Sequence, residues 1–189
     1  MATQLLTLVF WEFLQNLLML CSFVAGVWFW KQQKRLISVI CMALTGIGGP
    51  IFMHYTEPLI AGASALSEPA LEASLINNIV VFSLTAVIFT LYMAAEWSIW
   101  TTDVLFSTII ALIMVVTQWV AASQLPWQRI LFHAGALGMA FPLCTVSLRI
   151  ILDKSTNLKA ALYATTLVTI VISILIALID YVPFVIIQK

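Results

Sequence analysis

The chain reads as six stretches of almost uninterrupted apolar residues, each about twenty long, separated by short polar connections. None of them alternates with period two, as the strands of a barrel do, so the runs predict helices. The expected spans are 4–30, 36–57, 75–95, 103–122, 130–152 and 158–180. Polar punctuation sets their ends: Lys31-Gln-Gln-Lys-Arg35 after the first, Ser123-Gln-Leu-Pro-Trp-Gln-Arg129 before the fifth, and Asp153-Lys-Ser-Thr-Asn157 before the sixth. The longest connection, 58–74, carries Glu68, Glu72, Pro58 and Pro69 and has room for a short interfacial helix around 63–73.

Such runs need a particular solvent. Hydrophobic residues make up 63% of the 189-residue chain, charged residues 8%, and the mean hydropathy is +1.10. A water-soluble domain carries about 25% charged residues to cover its surface. A bilayer suits this composition, provided every backbone amide is bonded within its own helix. A spanning helix takes about 20 residues, so six fill the chain as a single transmembrane domain, 1–189. The expected fold class is therefore all-α: a polytopic bundle, integral to the membrane. The first apolar run has no basic segment before it and is too long for the core of a signal peptide, so it is expected to remain as a helix.

Basic residues orient the bundle. Lys31, Lys34, Arg35, Arg149, Lys154 and Lys159 fall on one side of a six-span arrangement, and Arg129 and Lys189 on the other. The excess of Lys and Arg marks the cytoplasmic side, which puts both termini outside. Trp28, Trp30, Trp97, Trp100, Trp119 and Trp127 lie near predicted helix ends, where indole prefers the interface. Short loops with this bias point to a plasma (inner) membrane.

Eight basic and eight acidic residues cancel, which removes the basic footprint that nucleic-acid binding requires. Cys21, Cys41 and Cys144 are widely spaced within apolar runs and read as small buried hydrophobes, with no CxxC motif.

The candidate chemistry lies in polar residues inside the spans. By the rise of 1.5 Å per residue, Glu12, His54, Asn77, Gln118, His133 and Asp180 all lie on the outer side of the midplane, roughly 7 to 14 Å from it. Gln15 and Asn16 follow Glu12 at i+3 and i+4, sharing its face, and Glu57 follows His54 at i+3. An ionisable group in hydrocarbon turns inward, finds a partner or neutralises. These nine residues therefore predict a polar pocket open to the non-cytoplasmic side. Simpler roles compete. Glu57 and Asp180 can be solvated helix ends, Asn77 a cap or interhelical bonder, and each histidine a neutral hydrogen bonder. Glu12, deep in the first span, has no such easy account. Glu96 and Asp103 read as interfacial, and Arg149 as snorkelling or pairing with Asp153 at i+4.

Three chemistries suit such a pocket. Protonatable Glu12, His54 and His133 beside helices broken by Gly46 to Pro50 and by Gly135, Gly138 and Pro142 suit a small-molecule or ion permease, although Gly and Pro also serve ordinary helix packing. His54, Glu57 and His133 form a possible two-histidine, one-carboxylate metal set, or a pair of axial haem ligands. A buried carboxyl could donate a proton to a lipid-like substrate. A fourth reading makes the chain a non-catalytic subunit whose polar face meets partner membrane proteins. The pattern specifies neither substrate nor cofactor.

Overall fold

The computed structural model describes residues 2–61, 68–95, 100–121 and 127–187; within these helices the side chains of 2–5, 8, 57–61, 68–74, 100–101, 114, 117–121, 127–137, 177 and 179–187 lie outside the described set. Among the described residues all regular structure is helical: α1 Ala2–Lys31, α2 Arg35–Ala43, a π segment Leu44–Gly48, α3 Gly49–Ala61, α4 Glu68–Ala94, α5 Trp100–Ala121, α6 Trp127–Lys154 and α7 Leu158–Ile187. Since α2, the π segment and α3 run on without a break, the elements make six rods. Four rods are long and apolar enough to cross a membrane: Val9–Lys31, Arg35–Thr56, Leu75–Ala94 and Leu158–Ile176.

Local chemistry explains the helix ends. α1 stops in a two-bond cap in which Lys34 N–H donates to Phe29 C=O at 2.9 Å and Gln33 N–H to Trp30 C=O at 3.0 Å. That cap needs a left-handed residue, usually glycine; Gln33 fills the place at φ 63°. α7 starts on Asn157, whose side-chain oxygen accepts from Ala160 N–H at 2.9 Å, relieving one unbonded donor of the first turn. α4 begins seven residues before the expected 75, where polar residues suggested a loop. Pro69 lies in its first turn, where a missing N–H costs nothing.

The π segment has an evident cause. Pro50 lacks an N–H, and its ring excludes the carbonyl four residues back, that of Gly46. A wide turn just before the proline absorbs the misfit.

α1 is central, packing along α7 on one side and α2 on the other; α6 lies against α5 and α7, and α4 against the π segment. The core draws Phe23, Val24 and Val27 from α1, Phe89 and Met93 from α4, Ile110 from α5, Leu148, Ile151 and Leu152 from α6, and Ala161 from α7. Beside this apolar core the distribution departs from that of a soluble protein. Ser38, Thr90, Ser107, Thr165, Thr169 and Ser173 have no exposed surface, whereas Leu84, Leu105, Leu112 and Leu167 are 53 to 61% exposed. Small and hydroxylated residues inside, with large aliphatics outside, is how helices pack where hydrocarbon is the solvent. Contacts at the seams are correspondingly close. Ser38 Oγ donates to Gly26 C=O at 2.7 Å, and Thr45 Oγ1 bonds to Cys41 C=O at 3.0 Å and to Met19 C=O on α1 at 3.4 Å.

Candidate functional site

The described residues hold one buried ionic centre, and local sequence did not reveal its pairing. Asp103, in the first turn of α5, is 1% exposed, and Arg149, near the end of α6, is 6% exposed. Arg149 Nη2 donates to Asp103 Oδ1 at 3.2 Å and Nε to Oδ2 at 3.4 Å, while Nη1 donates to the Met93 carbonyl at 3.1 Å. Tyr92 Oη completes the centre by donating to Asp103 Oδ1 at 2.7 Å. Its ring stacks on Phe106 with centroids 4.5 Å apart, and the guanidinium carbon of Arg149 lies 5.3 Å from the Tyr92 centroid.

Backbone dipoles favour the arrangement. Asp103 sits where α5 presents unbonded N–H groups, and Arg149 meets a carbonyl in the last turn of α4, where C=O groups lack partners. The centre thus ties three helices together and is electrically closed. The expected snorkelling of Arg149, or its pairing with Asp153, is incorrect. Asp153 instead lies 3.8 Å from Lys31 of α1, both partly exposed. Asp103, expected to be interfacial, is enclosed, because the ends of α4 and α6 close over the start of α5.

The same depth argument that grouped the outer polar residues could have found the pair. Arg149 lies five residues before the end of α6, about 7.5 Å inside it, and Asp103 lies one turn inside α5. Comparable depth, differing by about two residues, on antiparallel neighbours was the available signal.

Farther along the bundle, near the middle of α1 and α7, one of the expected pocket residues meets a second helix. Asn16 Nδ2 of α1 donates to Ser173 Oγ of α7 at 3.2 Å. Gln15 is 9% exposed, and Glu12, half-buried on the same face, also has a partner. Ser173 continues a buried hydroxyl row with Thr169 and Thr165, which bond back to carbonyls of their own helix. His54, half-buried on α3, meets the ring of exposed Tyr55 edge-on at 5.4 Å. Two residues before His54, and so on nearly the opposite side of α3, Phe52 faces Trp11 of α1 with centroids 6.3 Å apart. Asn77 is half-buried on α4.

No family model, curated protein or solved structure matches this chain. The geometry therefore stands on its own.

Glu57 on α3, Gln118 on α5, His133 on α6 and Asp180 on α7 belong to helices, but their side chains lie outside the described residues. Among the described residues no three His, Cys, Asp or Glu side chains gather as a metal site would require. The candidate set His54, Glu57 and His133 includes two side chains outside that description.

Two polar regions of the bundle differ in chemistry. One holds an ion pair with its hydrogen bonds made, suited to holding helices together. The other, between α1 and α7, holds uncharged donors and acceptors on the face that carries Glu12.

Proposed function

We propose that this protein is a six-span integral membrane protein with both termini on the non-cytoplasmic side, working as a permease for a small molecule or ion. The four long apolar rods support a membrane setting, and α5 and α6, with 22 and 28 residues, have the length to complete six spans. The gathering of Lys31, Lys34, Arg35, Arg149, Lys154 and Lys159 at one end supports the orientation, and a plasma (inner) membrane suits it.

The observation that carries the functional reading is the inward turn of the polar α1 face, with Gln15 buried and Asn16 bonded to Ser173. Beyond the interhelical bond that Asn16 makes, a carboxyl at Glu12 on the same inward-turned face supports a seam that receives something polar. In this reading Glu12, Gln15, Asn16, His54, Glu57, Asn77, Gln118, His133 and Asp180 line the solute path. Glu12 is its protonatable coupling group, and the Arg149–Asp103 centre holds the cytoplasmic end shut. The π segment before Pro50 supports a broken helix of the kind such a path uses.

The test is flux in proteoliposomes loaded with a pH-sensitive dye, under imposed proton, sodium and potassium gradients and with panels of small polar solutes. Wild-type protein is expected to conduct or couple, and Glu12→Gln to stop it without affecting insertion. A correctly inserted E12Q/H133L variant with full flux, or wild-type vesicles as tight as empty ones, overturns the reading.

A further inference from the structure

The basic end of the bundle is more than a marker of orientation. The α1–α2 and α6–α7 turns carry Lys31, Lys34, Arg35, Lys154 and Lys159, all exposed, against the single carboxylate of Asp153. The 3.8 Å contact between Lys31 and Asp153 places the two turns side by side, so the five cations form one surface.

Part of that surface is preorganised. The Arg35 guanidinium carbon lies 3.8 Å from the centroid of Trp30. Its Nη1 donates to Trp30 C=O at 3.2 Å and its Nη2 to Gln33 Oε1 at 2.7 Å. Two of the five guanidinium N–H donors are used, leaving the others for an anion. The left-handed conformation of Gln33 places that amide in reach of Arg35. Lys34 Nζ stands 5.8 Å from the Phe29 centroid. Immediately after Arg35, Leu36 is 76% exposed and Ile37 42% exposed.

Cations, aromatic rings and bare aliphatic side chains within a few residues match one occupant, a phosphodiester headgroup with acyl chains below it. Leu36 and Ile37, exposed directly after Arg35, set these cations at the level where headgroups meet acyl chains, the level of a lipid phosphate. We infer that the surface formed by the α1–α2 and α6–α7 turns binds anionic phospholipid, with Arg35 on Trp30 as its fixed anchor and Lys31, Lys34, Lys154 and Lys159 around it. This binding is independent of whether the α1–α7 seam carries a solute.

The full chain in non-ionic detergent is titrated with phosphatidylglycerol and with phosphatidylcholine, and retained lipid is counted by native mass spectrometry. Wild-type protein is expected to retain phosphatidylglycerol roughly tenfold in preference, each basic residue at such a surface being worth about a fivefold gain at most. The K34Q/R35Q/K154Q variant is expected to approach parity, and Asp153→Asn, which frees Lys31 and removes the opposing charge, to raise the preference. Millimolar inorganic phosphate should not displace the lipid. Equal retention of both lipids by wild-type protein, an unchanged triple variant, or displacement by free phosphate overturns the inference. If the triple variant fails to fold, the D153N result decides: no gain in preference refutes it.

Discussion

Arg149 and Asp103 lie 46 positions apart in the chain and meet through two hydrogen bonds, from Nη2 at 3.2 Å and Nε at 3.4 Å, in a place almost closed to solvent. Because α4 contributes the Met93 carbonyl and the Tyr92 hydroxyl, removing either charge strands the other among groups arranged to complement it. Arg149→Ala or Asp103→Ala should each cost about 3–5 kcal/mol. Replacing the whole centre, as D103L/R149M/Y92F, should cost much less than the sum of the single changes. Thermal unfolding in detergent across the mutant cycle measures this; additive losses would mean that the pair does not act as a unit.

Tyr92→Phe isolates one bond of the centre. The stack on Phe106 remains, while Asp103 loses a donor at 2.7 Å. A hydrogen bond to a charged group contributes about 1.5–3 kcal/mol, so a loss in that range is expected in the same unfolding assay. A loss below ~0.5 kcal/mol would show that Arg149 alone satisfies the carboxylate.

Three glycines separate by what faces them. A Cβ on Gly46 would lie 2.5 Å from Ser83 Cα and 2.9 Å from Ser83 N, which are backbone atoms. Gly46→Ala should therefore destabilise by about 1–3 kcal/mol, and Ser83→Gly should not rescue it. A Cβ on Gly49 meets only the side chain of Met19, at 2.7 Å, so Gly49→Ala should be rescued by Met19→Ala. Gly138 has nothing within 4 Å among the described residues, and Gly138→Ala should be neutral or slightly stabilising. Melting temperatures of the five variants test the ordering.

Gln33 holds a conformation that costs a non-glycine residue roughly 1 kcal/mol. Gln33→Gly should raise stability by up to about that amount, less the exposed contact with Arg35. A clear fall in melting temperature would show that the Gln33–Arg35 contact outweighs the backbone strain.

The rods were readable from sequence because each is a single long apolar run, and the turns at Lys31–Arg35 and Asp153–Asn157 fall where charge interrupts it. Helix ends were less readable. α4 already winds through Glu68 to Ser74, where polar residues suggested a loop, and α3 runs on through the apolar Pro-Leu-Ile-Ala61 beyond Glu57. Composition could place Gln15 and Asn16 on one face, and the structure adds that Ser173 receives that face. The Arg149–Asp103 pair escaped local reading because Asp153 stands at i+4 from Arg149 and offers itself as a nearer partner. Only packing assigns Asp153 to Lys31 and Asp103 to Arg149.

The wide turn at Leu44–Gly48 also changes how the second rod is counted. One residue more per turn shifts every later position by about 100° around the axis, so α2 and α3 follow two different angular frames. A helical wheel drawn straight through 35–61 would put Phe52 and His54 on faces they do not occupy. Removing one residue from the turn would rotate the whole of α3, carrying Phe52 away from Trp11, whereas the half bearing Ser38 and Met42 would stay in register.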